Sequence, residues 1–132
     1  MPSQIKRGSI WLANLGENEG SEQRGVRPVL ILQNDVGNHF SPTVIVASIT
    51  DAKKRPMPTH HNIEVVDLLT KPSTVMLEQI RTIDKSKLIK WIADLSDATM
   101  REIDAKLKIS FGLVPVQIPS SMDAGGKLNV RP

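Results

Sequence analysis

Apolar runs separated by glycine- and proline-containing breaks divide this chain of 132 residues into short strand-like segments. Residues 29–32 are apolar at every position, which is typical of a strand buried on both faces. Residues 43–49 are strongly β-branched, and this composition favours a strand. Similar runs occupy residues 9–15, 59–65 and 88–95. The pattern predicts about seven short strands in a small, strongly curved sheet or barrel.

Residues 73–83 carry the longest alternating segment of the chain. A period of two puts Gln79 and Arg81 on the same face as Val75 and Leu77. That face changes from apolar to polar along its length, as in a core strand that emerges into a cleft. We therefore expect Gln79 and Arg81 to line a binding site.

One helix is predicted near the end of the apolar pattern. Ser96 is a good N-cap, because its hydroxyl can accept a hydrogen bond from the first turn. Apolar side chains then recur at helical spacing, at Met100, Ile103 and Leu107. The helix is expected over about residues 97–111, with Gly112 as its stop.

Two other segments are expected to be irregular. Residues 34–42 are interrupted by Gly37-Asn38 and Ser41-Pro42, which predicts a turn-rich excursion between two strands. The end of the chain is rich in proline, serine and glycine. We therefore predict one domain over residues 1–114 and a loosely ordered tail over residues 115–132.

Composition narrows the class of protein. Hydrophobic residues make up 39% and charged residues 23%, as in an ordinary soluble globular chain. No apolar run is long enough to cross a bilayer, and the first residues lack the apolar region of a secretory signal, so we expect no membrane contact and a cytoplasmic location. The absence of cysteine excludes disulfides and thiolate metal sites. A net charge of +3 fits a polyanionic partner, although charge alone does not identify one.

Candidate chemistry lies where two predicted strands end beside a polar loop, residues 16–25. Arg27 stands at the entry of one strand, and Pro28 forces an extended backbone on it. Thr50 stands at the exit of the next strand. A cation and a hydroxyl at neighbouring strand ends make a plausible site for handling an anion.

Metal chemistry is not expected from this sequence. It holds three histidines, and its carboxylates are not clustered with the spacing of metal ligands. His60 and His61 are adjacent in a predicted strand, so their side chains would point to opposite faces. We expect neither a metal site nor a cofactor.

Four of the motifs in this chain follow one another in a recognisable order: Gly20-Ser21-Glu22-Gln23, Gly25-Val26-Arg27-Pro28-Val29, Gln33-Asn34-Asp35 and Leu77-Glu78-Gln79-Ile80-Arg81-Thr82-Ile83-Asp84. With them, residues 6–112 resemble the MazF/PemK/Kid family of toxins, in particular its Gram-positive chromosomal type. The resemblance implies an α+β, mainly β fold: a small SH3-like barrel of the CcdB/PemK type with a C-terminal helix. It also implies a two-fold homodimer.

The function implied by this resemblance is that of an mRNA interferase. Such a toxin is a sequence-specific, metal-independent endoribonuclease that cleaves single-stranded mRNA into 2′,3′-cyclic phosphate and 5′-hydroxyl ends. A pentamer with an ACA core is the expected recognition sequence. The implied partner is a MazE-like antitoxin, and DNA is expected to be met only through that antitoxin. Two alternatives stay open: a CcdB-like poison of DNA gyrase on the same fold, and a catalytically inactive RNA-binding paralogue.

The resemblance assigns catalysis to Arg27 and Thr50. A guanidinium offers a planar, permanently charged fork for a phosphate, whereas Thr50 would bind the same phosphate or orient the 2′-hydroxyl. Which groups act as general acid and base stays open. The candidates for RNA binding are Glu22, Gln23, Arg24, Asn34, His60, Gln79 and Arg81.

Several of these candidates have a plain structural interpretation beside the functional one. Asn34 suits a turn as well as a base contact, and His60 is expected to be structural more readily than a proton carrier. Arg24 is as readily a solvated loop cation as a phosphate contact. The basic run Lys53-Lys54-Arg55 is either a solvated connection or a contact for the RNA backbone, with equal weight.

Overall fold

The computed structural model of this chain describes residues 4–17 and 24–116. Six antiparallel strands form one curled sheet in the order β4-β5-β3-β2-β1-β6, so that β4 and β6 are its edges. The strands are β1 Ser9–Asn14, β2 Val26–Ile31, β3 Thr43–Thr50, β4 His60–Ile63, β5 Ser73–Asp84 and β6 Leu88–Asp94. Two helices, α1 Asp35–Phe40 and α2 Asp97–Ser110, and a 3₁₀ turn, Lys85–Lys87, complete the fold. The predicted mainly β architecture with a C-terminal helix is confirmed, and the open sheet is a half-barrel.

Both faces of the sheet are covered by apolar side chains. Leu30 and Ile49 belong to a cluster that α2 closes with Ile103, which we call the helix-side core. Val29 and Val46 belong to a second cluster on the other face. The continuous apolar run at residues 29–32 is therefore explained, because alternate side chains of β2 enter two different cores.

The pairing of β5 with β3 is interrupted by a bulge. Ala47 lies opposite Ile80, whereas the next residue, Ser48, lies opposite Met76. Residues 77–79 therefore lie between two consecutive pairs, and the strand changes phase at this point.

The bulge changes which side chains of β5 share a face. Val75 and Leu77 enter the helix-side core. Ile83 enters the second cluster, and Arg81, two residues before it, lies on the same side of the strand. The prediction that Arg81 shares a face with Val75 and Leu77 is wrong, because an unbroken period of two does not hold across a bulge. Gln79 lies within the bulge itself.

The segment predicted as a turn-rich excursion contains a short helix instead. Helix α1 spans Asp35–Phe40, and its N-cap is Asn34, whose side-chain oxygen accepts a hydrogen bond from Gly37 N–H at 2.8 Å. Glycine within the segment does not prevent a single helical turn when a good cap precedes it. The prediction of an irregular segment is corrected here.

Helix α2 lies close to its predicted bounds. Ser96 Oγ accepts a hydrogen bond from Thr99 N–H at 3.1 Å, as expected of an N-cap, and the helix spans Asp97–Ser110. Ile103 is fully buried against the sheet. Neither α1 nor α2, the helices in the described part of the chain, is long and apolar enough to cross a membrane.

A histidine fastens α2 to the edge strand β4. Lys106 Nζ lies 2.8 Å from His61 Nδ1, and His61 is buried. Burial lowers the pKa of His61 below its ordinary value, and the nearby Lys106 ammonium lowers the pKa further. His61 is therefore a neutral acceptor near pH 7, and it belongs to the packing of the helix.

Candidate active site

The register of β2 and β3 brings the two predicted catalytic residues to adjacent strands. The pairs run from Ile31 with Val46 to Val29 with Ser48. This paired register ends at Val29 and Ser48, and Arg27 and Thr50 lie two residues beyond it, each on its own strand. Because side chains two residues apart in a strand share a face, Arg27 lies on the face of Val29 and Thr50 on the face of Ser48, the partner of Val29.

The guanidinium of Arg27 is exposed at the start of β2. The backbone of Arg27 is fixed by pairing with Ala13 of β1, and its Nε donates a hydrogen bond to the carbonyl oxygen of Arg24 at 3.2 Å. Pro28 follows it and has a locked φ angle. The strand therefore holds the base of the side chain firmly while the charged end remains open to a ligand.

Thr50 is almost fully buried, with 3% of its surface exposed. Its Oγ1 accepts a hydrogen bond from Ala52 N–H at 3.1 Å, so this bond does not use the hydroxyl proton. Its neighbour Ile49 enters the helix-side core, and Thr50 therefore faces the opposite side of the sheet. The arrangement suits a hydroxyl that donates to an oxygen atom placed between it and Arg27.

A cavity of about 270 Å³ opens beside Arg27 on the helix-side face of the sheet, away from the Thr50 side chain, which does not line it. Arg27 lines it together with Ile49 and Asp51, the two chain neighbours of Thr50. Asp51 forms an ion pair with Lys71, another lining residue, at 3.4 Å. The apolar part of the lining includes Leu12, Pro28, Leu69 and Ile92.

The structure divides the remaining candidates for RNA binding. Glu22 and Gln23 lie outside the described residues. Arg24 lies next to Arg27, as its carbonyl contact shows. Asn34 lies beyond the opposite end of β2 from Arg27 and caps α1, so the structure gives it a local role and does not bring it to the pair.

His60 is held in a hydrogen-bonded group on the edge strand β4. Its Nε2 lies 2.9 Å from Glu78 Oε2, and the other oxygen of Glu78 accepts from Thr59 Oγ1 at 2.9 Å. Only 8% of the His60 side chain is exposed. The geometry agrees with a structural role, because the side chain is largely buried and its Nε2 is engaged with Glu78.

Gln79 and Arg81 differ in how well their polar atoms are satisfied. Gln79 Oε1 is buried and has no hydrogen-bond partner among the described residues, so a donor from a ligand could satisfy it. Arg81 donates to the carbonyl oxygen of Leu15 at 3.4 Å, and Leu15 N–H donates to Gly25 at 2.8 Å. Arg81 thus connects β5 to the base of the loop that precedes Arg27.

Two polar residues that the sequence analysis did not single out lie in line with Thr50. Thr74 of β5 is its direct partner, and Asn62 of β4 is the direct partner of Thr74. A threonine in a strand is ordinary, and Asn62 follows two histidines without any motif of its own. Only the strand order and register reveal this alignment.

No group of three or more histidine, aspartate or glutamate side chains converges as metal ligands within residues 4–17 and 24–116. The acidic side chain nearest to the pair along the chain, Asp51, is paired with Lys71. The donor set present at the pair is therefore one guanidinium and one hydroxyl group, which suits an anion.

Comparison with known proteins gives a consistent set of relatives. Residues 6–111 match the family described as PemK-like, MazF-like toxins of type II toxin–antitoxin systems. The endoribonuclease MazF of Staphylococcus epidermidis is 53% identical over 111 residues, which cover 83% of this chain and 92% of the relative.

Solved structures of similar fold agree with this match. A mycobacterial endoribonuclease in complex with its cognate antitoxin superimposes with a TM-score of 0.70 at 27% identity, covering 85% of this chain and 99% of that chain. The Mycobacterium tuberculosis toxin MazF-mt6 gives a TM-score of 0.67 at 26% identity, covering 79% and 96%. MazF from Deinococcus radiodurans shares the fold, with a TM-score of 0.70 at 21% identity and coverage of 83% and 98%.

Proposed function

The chain belongs to the PemK-like, MazF-like family and is an endoribonuclease toxin of a type II toxin–antitoxin system, and on this basis we propose that it cleaves single-stranded mRNA at a site formed by Arg27 and Thr50. The observation that supports the proposal is that Arg27 and Thr50 lie on adjacent strands, each two residues beyond the last β2–β3 pair, Val29 with Ser48. The scissile phosphate binds between them. Cleavage is sequence-specific and leaves a 2′,3′-cyclic phosphate and a 5′-hydroxyl.

Arg27 stabilises the charge that develops on the phosphoryl oxygens when the ribose 2′-hydroxyl attacks phosphorus. Its guanidinium keeps its charge at every relevant pH, because the pKa of an arginine exceeds about 12. Two parallel N–H groups can hold two phosphoryl oxygens at once. A fixed donor of this kind stabilises the transition state without reorganisation during the reaction.

Thr50 positions the attacking group. Its hydroxyl is held by the hydrogen bond that Oγ1 accepts from Ala52, and its proton is directed to the 2′-oxygen or to a phosphoryl oxygen. Such positioning holds the reactants in line for attack. The reaction proceeds without a metal: the 2′-oxygen bonds to phosphorus as the bond to the 5′-oxygen breaks, the 2′-hydroxyl proton passes to water, and the 5′-oxygen takes a proton from water. Arg27 provides the charge and Thr50 the orientation.

The function is tested by incubating the pure protein with a long mRNA in EDTA and mapping every cut. We expect cuts at one short sequence, with 5′-hydroxyl and cyclic phosphate ends. Recovery of activity with a single divalent ion only would contradict metal-free cleavage. An intact RNA under all conditions would favour a gyrase poison or an inactive paralogue, and a gyrase supercoiling assay would distinguish these two.

The protein acts as a homodimer and is inhibited by a MazE-like antitoxin, and it meets DNA only through that antitoxin. A similar mycobacterial endoribonuclease was solved with its cognate antitoxin, which supports this assignment. An acidic segment that is disordered alone can fold onto a basic groove made for RNA. Competition between antitoxin and RNA for Arg27 is the expected mode of inhibition.

The basic run after Thr50 contributes to RNA affinity. Lys53, Lys54 and Arg55 are all exposed and have no ion-pair partner within the described part of the chain. Replacing all three by alanine is expected to weaken RNA binding and to reduce the slope of log K against log salt by about 1 to 2, because each phosphate contact on a single strand contributes about 0.7. The measurement is a salt titration of RNA binding.

The matched control removes the same charge elsewhere. Lys87 follows the far end of β5, and Arg101 and Lys108 are exposed on α2, behind the opposite face of the sheet. Their triple alanine variant is expected to leave the salt slope nearly unchanged. Equal slopes for the two variants would indicate that only net charge matters.

A further inference from the structure

A polar row crosses four strands of the sheet and continues beyond the catalytic pair. It consists of Arg27 on β2, Thr50 on β3, Thr74 on β5 and Asn62 on β4. We propose that Thr74 and Asn62 extend the RNA site, and that the Asn62 amide reads the base of a nucleotide close to the scissile phosphate. This inference rests on the proposed function of the Arg27–Thr50 pair.

The row follows directly from the pairing of the strands. Thr50 pairs with Thr74, and Thr74 pairs with Asn62. Arg27 lies on the neighbouring strand β2, two residues beyond the last β2–β3 pair, as Thr50 does on β3. Directly paired residues point to the same face, so the side chains of Thr50, Thr74 and Asn62 lie side by side, and the period of two puts Arg27 on the same face as Val29.

The neighbours of the row confirm which face it occupies. Ile49, Val75 and Ile63 each adjoin one member of the row along its strand, and all three enter the helix-side core. Since successive side chains in a strand point to opposite faces, the row points away from α2. Thr50 is buried, Thr74 is half-buried and Asn62 is exposed, so the row opens towards solvent at the edge of the sheet.

A hydrogen bond fixes what Asn62 offers to a ligand. Thr74 Oγ1 donates to Asn62 Oδ1 at 2.9 Å. This bond uses one of the two lone pairs of Oδ1 and leaves both N–H groups of Nδ2 for a partner with acceptor atoms. The side chain is thereby oriented as a donor, whereas a free asparagine could present either edge.

The length and charge of the row fit a short stretch of RNA. Four adjacent strands span about 14 Å at about 4.8 Å per step. At about 3.4 Å per nucleotide in a stacked strand, this distance covers about four nucleotides, and fewer when the bases are splayed. Thr50 and Asn62 are two steps apart, so Asn62 meets a nucleotide that flanks the scissile phosphate.

The surroundings of Asn62 favour a base over a phosphate. Glu64 follows it by two residues and is exposed, and Glu78 is bonded to His60, two residues before it. Carboxylates at these positions repel a phosphate but tolerate a neutral base edge. The class of ligand is therefore a base that presents an acceptor atom towards Nδ2.

The test compares cleavage of short RNAs that differ by one base at each position around the cut. The variants are Asn62→Leu, which removes the amide, and Thr74→Val, which removes only the hydroxyl. We expect the wild-type protein to prefer bases with an acceptor at one flanking position. In both variants, the ratio of cleavage rates between preferred and other bases at that position is expected to fall about three- to tenfold, which is the effect of one hydrogen bond. At the other positions, the base preference of both variants is expected to equal that of the wild type.

Thr82→Val is the matched control, because Thr82 is exposed on the same strand but lies opposite Ile45, outside the row. Its selectivity is expected to equal that of the wild type. If Asn62→Leu does not fold by circular dichroism, Asn62→Ser replaces it. Unchanged selectivity of the folded row variants, or an equal loss on every RNA, would overturn the inference while the proposed function stands. If the wild-type protein cuts no RNA, both fail together.

Discussion

Arg27→Ala is expected to lower kcat/KM for RNA cleavage by about 10²–10³-fold, the usual effect of removing one transition-state donor. The fold is expected to survive, because the Arg27 side chain is exposed and bonds within the described residues only to the carbonyl oxygen of Arg24. Most of the loss should lie in kcat if the guanidinium binds the transition state more tightly than the ground state. Single-turnover cleavage of one defined RNA, with a thermal melt of each protein, measures both quantities.

Two further variants make this result specific. Arg27→Lys keeps the charge but loses the planar fork, so its activity is expected to lie between those of the wild type and Arg27→Ala. Arg101→Ala removes an exposed arginine from α2 and is expected to cleave normally. If Arg27→Ala melts like the wild type and retains full kcat, then Arg27 does not act on the phosphate.

The position of Arg27 illustrates how much of the site could be predicted from the sequence. Its proline neighbour indicated a strand start, and the apolar runs indicated which strands lie on either side. The adjacency of β2 and β3 is expected for consecutive strands. The register, however, depends on how α1 returns the chain, and the sequence pattern did not reveal α1.

The bulge in β5 shows why faces are harder to predict than strands. The alternation in residues 73–83 correctly indicated a strand, but three residues lie between the partners of Ala47 and Ser48. A bulge leaves no distinctive mark in a sequence without glycine. The predicted face of Arg81 was therefore wrong. Arg81 nevertheless lies near the loop before Arg27, as its contact with Leu15 shows.

The polar row shows a different limit. Asn62 and Thr74 are unremarkable in sequence, since each occurs in a run that reads as an ordinary strand. They become candidates only because β4 is added to the edge of β5 rather than beside β3. Strand order is a property of the whole chain, and composition or periodicity of one segment does not contain it.

Asn38, which the sequence analysis placed in an irregular segment, organises the structure between α1 and β2. Asn38 is buried, and its Nδ2 donates to the carbonyl oxygen of Gln33 at 2.9 Å and to Asp35 Oδ1 at 3.1 Å. Gln33 Nε2 returns a hydrogen bond to Asn38 Oδ1 at 3.2 Å, and Lys85 Nζ donates to the Asn38 carbonyl oxygen. The backbone N–H of Arg7 and the Asn38 amide lower the pKa of Asp35 below its ordinary value. One side chain thus joins α1 to the end of β2.

Asn38→Leu is expected to reduce the free energy of unfolding by about 2–4 kcal/mol, because the buried carbonyl of Gln33 loses its donor and the network around it is broken. A protein of this size has about 5–15 kcal/mol in total, so the loss should be plain in urea unfolding. The matched control is Val36→Ala on the same helix, where 71% of the side chain is exposed and little change is expected. At a temperature where Asn38→Leu remains folded, its cleavage rate should be close to that of the wild type. A large loss of kcat without a loss of stability would instead connect α1 to the chemistry, since the network contacts neither Arg27 nor Thr50.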